Sequence, residues 1–76
     1  MDVSAEIRAE MARQGVTVTE VAAAANVSRN WLSSRINGRV AIRLDDLGLV
    51  SQALNIPAYE LLRRASENDR YEAKAA

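Results

Sequence analysis

Four arginines, Arg29, Arg35, Arg39 and Arg43, fall between Asn26 and Arg43 with no acidic residue among them. Guanidinium groups grip anionic oxygens in a bidentate fork, so a strip of this kind suits a polyanion. Interleaved with them are Asn30, Ser33, Ser34 and Asn37, whose amides and hydroxyls both donate and accept hydrogen bonds and can match the edges of bases. Covalent chemistry has almost nothing to work with. The chain has no His and no Cys, which removes Ser-His and Cys-His nucleophiles, zinc fingers and disulfide staples. Asp45 and Asp46 are adjacent at a helix start and cannot face each other across a cleft as an acid and base pair. No catalytic residue, metal ligand or cofactor is expected.

The elements that must carry this strip are short helices. Val3, Ile7 and Met11 recur every four residues, with Asp2 as N-cap and Gly15 as stop, which predicts a helix over 3–14. Thr17 and Glu20 form a capping box for a second, over 18–25, on an alanine-rich segment. Asn26 can take the left-handed conformation that ends it, and Ser28 can cap a third from Arg29 to about Asn37. Gly38 stops that helix. Leu44, Leu47, Val50 and Leu54 mark a fourth, with Asp45 and Asp46 in the first turn where the helix dipole favours acids and Asn55 as its stop. Gly48 inside it costs ~1 kcal/mol relative to Ala, which a close packing contact would explain. Pro57 suits the first position of a fifth, carried by Leu61, Leu62 and Ala65 with Glu60 and Arg64 paired one turn apart. After Ser66 the apolar period is lost, so residues 1–66 form the domain and residues 67–76 a polar tail that frays or extends helix five.

The second and third helices and their three-residue turn occupy only residues 18–37, and helices joined so tightly cross steeply. Ala22 and Ala25 supply small residues at the crossing; Val21, Val27, Leu32 and Ile36 supply the wedge beneath. Turning ~100° per residue from Leu32 puts Ile36 beside it on the buried side and throws Asn30, Ser33, Ser34 and Asn37 to the opposite face. Trp31 and Arg35 share one flank. A short polar rod edged by guanidiniums fits the major groove of double-stranded DNA.

The stretch "TVTEVAAAANVSRNWLSSRINGR" resembles the core motif of the phage repressor and Cro (Xre-type) helix-turn-helix family. The resemblance spans residues 3–65 and includes "LDDLGLVSQALNIPAYELL", similar to the family's fourth and fifth helices. Nine Arg against one Lys, and "WLSSRINGR", look most like members from actinobacteria and their phages. The resemblance implies an all-α, five-helix, lambda-repressor-like domain. It implies that Arg29, Asn30, Ser33 and Ser34 face bases, that Ser28, Asn37 and Arg39 lie near phosphates, and that Arg43 approaches the backbone or minor groove. Three positions depart from the pattern. Val18 stands where the family often has a phosphate-holding Gln, Arg43 takes the usual cap position of helix four, and Arg35 replaces an aliphatic residue, which suggests a salt bridge or a cation-π contact with Trp31.

The function expected is a sequence-specific transcriptional regulator, a small phage or prophage-type repressor. It would bind a palindromic operator as a homodimer, with recognition helices ~34 Å apart. Tyr59, Leu62 and Ala65 are either core of helix five or the patch that pairs two subunits, and Trp31 and Arg35 either pack or touch the DNA flank. The alternative is an antitoxin-like or adaptor module that keeps the fold without reading DNA, favoured by ten acids balancing ten bases to zero net charge. With no 18-residue apolar run and no basic-then-apolar leader, the chain is expected in the cytoplasm, associated with the nucleoid, without membrane or small-molecule partners.

Overall fold

The computed structural model describes the backbone of residues 1–75 and the side chains of residues 1–69. Five helices follow one another: α1 (Val3–Gln14), α2 (Val18–Ala25), α3 (Arg29–Ile36), α4 (Leu44–Ala53) and α5 (Ala58–Ala75). The described residues contain no strand. The polar segment from residue 67 to residue 75 continues α5 as helix; the side chains of residues 70–76 lie outside the described part of the expectation. Pro57 sits one residue ahead of α5, and α3 ends at Ile36 with Asn37 as its C-cap.

Three of the four links share one construction. Gly15, Asn26 and Asn55 take positive φ values of 66°, 58° and 56°. The next residue, Val16, Val27 or Ile56, returns its N–H to a carbonyl five residues back at 3.0 to 3.1 Å and packs its side chain against the core. This is the Schellman closure, which satisfies carbonyls that the helix leaves open. The third residue, Thr17, Ser28 or Pro57, precedes the next helix. Thr17 and Ser28 cap it by accepting the N–H of Glu20 (3.1 Å) and Trp31 (3.0 Å), and Glu20 returns a bond to the Thr17 N–H at 3.0 Å.

The core unites all five helices: Ile7 and Met11, Val21 and Ala22, Leu32 and Ile36, Leu47, Val50 and Leu54, and Leu61 with Ala65. Leu32 is fully buried, so truncation to Ala would cost ~2 to 5 kcal/mol in a domain of this size with only a few kcal/mol to spare. Two expectations for α4 need correction. Leu44 has the right period but lies 76 % exposed, because at the first helical position its side chain has no turn of helix behind it to cover. Gly48 has nothing within 4 Å of where a Cβ would stand, so no close contact requires it.

Two acids on α1, Glu6 and Glu10, are buried. Glu10 accepts from Gln14 (2.9 Å), from Arg64 of α5 (2.6 Å) and from Arg13 (3.0 Å). The Gln14 amide, and after it the Arg64 guanidinium, lower its pKa to about 2. Glu6 accepts from Asn68 of α5. These bonds fasten α5 along α1, which is the frame on which the α2–α3 pair is mounted.

Candidate nucleic-acid interface

The third helix is anchored at both ends by groups outside it. Its last four carbonyls would otherwise be open. Ser33 O accepts the Asn37 N–H (3.0 Å), Ser34 O the Val40 N–H (3.0 Å), and Arg35 O both the Gly38 N–H (3.2 Å) and the Ser4 hydroxyl of α1 (3.0 Å). Ile36 O accepts from Arg8, also of α1. Every carbonyl of the final turn is therefore occupied, and α1 holds the rod from behind. Ser4 and Arg8 were invisible in the sequence, since neither stands near α3 in the chain.

On the outward side, Arg29 and Asn30 are exposed, and so are Ser28, Asn37, Arg39 and Arg43. Ser33 and Ser34 are half-buried. Ser33 accepts from the Asn37 amide at 3.2 Å, and Ser34 donates to Trp31 O at 2.9 Å. Their hydroxyls are thus already engaged along the helix, while Arg29 and Asn30 carry the accessible groups. Ser28 is occupied as the N-cap through its oxygen.

Arg29, Arg39 and Arg43 make no ion pair among the described residues. Arg43 lies within electrostatic reach of Asp46. Arg35 is different. Its Nε donates to Asp46 Oδ2 (3.3 Å), its Nη1 to Trp31 O (3.1 Å), and its guanidinium carbon lies 4.0 Å from the centroid of the Trp31 ring. Asp46 Oδ2 also accepts the Arg43 N–H at 3.0 Å, giving α4 a cap from within in place of the missing cap side chain. The Arg43 N–H, and after it the Arg35 guanidinium, hold the Asp46 carboxyl below the usual carboxylate range.

The charge pattern of the helix starts singles out α3. The other helices carry acids in the first turn, Glu6, Glu20, Asp45 with Asp46, and Glu60. The first turn of α3 has none and opens on Arg29. A cation there opposes the positive end of the helix dipole, so this start favours an external anion over a further cation.

Val18, where a polar anchor would stand, packs against the core. Tyr59 is 70 % exposed, Leu62 half-buried and Ala65 only 1 % exposed. Ala65 therefore belongs to the core, and its methyl has no surface to offer a second subunit. Among the described residues no group of three or more His, Cys, Asp or Glu could hold a metal ion, and no helix is long and apolar enough to cross a membrane.

Comparison with known proteins agrees with this geometry. A family model described as helix-turn-helix matches residues 7–61. A solved structure, that of the clp gene regulator ClgR from C. glutamicum, is similar with a TM-score of 0.82 and 31 % identity, covering 88 % of this chain and 87 % of that one. No curated protein matches.

Proposed function

The chain belongs to the helix-turn-helix family of DNA-binding transcriptional regulators, of the Xre and Cro type, and we propose that it acts as a small phage or prophage-type repressor that occupies operator DNA through α3. The observation that carries this reading is the exposed set Arg29, Asn30, Asn37, Arg39 and Arg43, carried on and beside a rod whose final carbonyls are all occupied, two of them by Ser4 and Arg8 of α1. A rigidly held polar helix can present Arg29 and Asn30 to base edges with fixed register, while Arg39 and Arg43 on the following loop meet phosphates. Ser33, Ser34 and Asn37 line the same side and contribute once their mutual bonds are exchanged for bonds to the nucleic acid. Repression then needs no chemistry, only occupancy of a promoter.

A palindromic operator bound by two copies follows the usual spacing of successive major grooves, ~34 Å. Tyr59 and Leu62 on α5 are the side chains we assign to contact between copies, being apolar and accessible where Ala65 is not. Selection of bound fragments from a randomised duplex pool, followed by titration of the selected duplex against a scrambled one at ~50 and ~200 mM salt, tests the assignment. A regulator of this kind prefers the selected duplex and loses affinity steeply with salt, because its arginines displace condensed counterions. Binding that is equal for both duplexes, or insensitive to salt, would refute it.

A further inference from the structure

Resting on the DNA-binding reading, we propose that Asp46 is a positioning residue that withholds Arg35 from the nucleic acid and so protects sequence discrimination. Arg35 lies on the flank of the recognition helix, where a released guanidinium would reach for any phosphate. Phosphate attraction is blind to sequence and strengthens every duplex alike. In this molecule the side chain is only 19 % exposed and is held on three sides: Nε by Asp46 at 3.3 Å, Nη1 by Trp31 O at 3.1 Å, and the guanidinium face by the Trp31 ring at 4.0 Å. Asp46 therefore cancels one of the four cations in the strip.

The same Asp46 oxygen receives the Arg43 N–H at 3.0 Å. One atom thus fixes the start of α4, and with it the loop that bears Arg39 and Arg43, against the recognition helix. The two jobs can be separated. Asn keeps an oxygen for the Arg43 N–H while removing the charge that holds Arg35 and complements the α4 dipole, so the comparison of Asp46→Asn with the double variant isolates the withholding role.

The test compares wild type, Asp46→Asn, Arg35→Gln and the double variant on a selected duplex and a scrambled one, each at ~50 and ~200 mM salt, with thermal melting as a check on folding. Asp46→Asn is expected to gain one phosphate contact. That makes its loss of affinity between the two salt concentrations about threefold greater than that of wild type and raises binding to the scrambled duplex severalfold, narrowing the preference. Arg35→Gln should leave the salt response of wild type in place, and the double variant should return both quantities to wild-type values. A merely structural role for Asp46 would not be rescued by deleting Arg35. An unchanged salt response in Asp46→Asn, a failure of the double variant to restore it, or a shallower response in Arg35→Gln overturns the assignment. The Arg35→Gln arm decides the matter even if Asp46→Asn does not fold. Absence of salt-dependent duplex binding by wild type itself overturns the DNA-binding reading, and this inference with it.

Discussion

Arg64 of α5 donates to Glu10 of α1 at 2.6 Å across 54 positions of chain, and the same carboxylate holds Gln14, whose amide continues to Leu54 O at 2.7 Å. One buried acid therefore joins α1, α4 and α5. Glu10→Ala would leave Arg64 and Gln14 short of a partner and should lower unfolding free energy by about 2 kcal/mol. Glu67→Ala removes only an exposed partner of Arg63 one turn away and should cost under ~0.5 kcal/mol. Urea denaturation of the two variants checks the contrast, and equal losses would contradict it.

The same carboxylate sets an acid limit. Its pKa falls from 4.5 to about 2 on folding, so the unfolded chain takes up the proton first. The stabilisation is complete above pH ~4.5 and is lost as the pH falls from there through about 2. Stability profiles of wild type and Glu10→Gln should accordingly converge as the solution is acidified across that window. A constant gap would show that Glu10 is not the group responsible.

Gly15, which caps α1, and Gly48 within α4 should respond in opposite senses. Gly48 has ordinary helical backbone and open space where a Cβ would go, so Gly48→Ala should raise stability by ~0.5 to 1 kcal/mol. Gly15 has φ 66° with equally open surroundings. There the backbone decides, and Gly15→Ala should cost ~1 kcal/mol or more. A melting temperature that moves the same way for both would refute the distinction.

Arg29 is expected to trade stability for binding. Arg29→Glu puts an acid at the start of α3, which should raise stability by ~0.3 to 1 kcal/mol. The same change removes a proposed base contact and sets a negative charge against DNA, so affinity for the selected duplex should collapse. Calorimetry and a gel-shift titration of the one variant read both effects; a destabilised variant that still binds would contradict the placement of Arg29 in the interface.

Roles within the interface separate by sequence dependence. Asn30→Ala should weaken the selected duplex by ~1 to 3 kcal/mol and relax the preference at one position, whereas Arg39→Ala should weaken all duplexes alike and reduce the salt slope by about one unit. Identical behaviour of the two variants on selected and scrambled DNA would dismiss the division between base reading and backbone contact.

Much of this molecule was legible because its signals are local. The Thr17 and Glu20 capping box, Ser28 as cap and Asn26 in the left-handed conformation each depend on residues within a turn of one another, and so did the pairing of Trp31 with Arg35. What stayed hidden depends on distant partners. Nothing near Glu6 and Glu10 in the chain signals their burial, because Asn68 and Arg64, which make it tolerable, lie 62 and 54 positions away. Asp46 read as a helix-dipole acid, and only the fold brings it to Arg35. Leu44 matched the apolar period of α4 but sits at its exposed first position, and Ala65 could be assigned to core or surface only once α1 was seen against α5.

The link between α2 and α3 consists of Asn26, Val27 and Ser28, with one backbone twist, one plug and one cap. It has no slack, so its length is a more stringent specification than its lettering. A single residue inserted there, with the link geometry kept, would shift the sequence of α3 by one place, about 100° of turn, taking Leu32 out of its socket and putting Trp31 into it. Retargeting such a scaffold to a new DNA sequence is therefore a matter of spelling on the outer face of α3, never of adding or deleting a letter upstream of it.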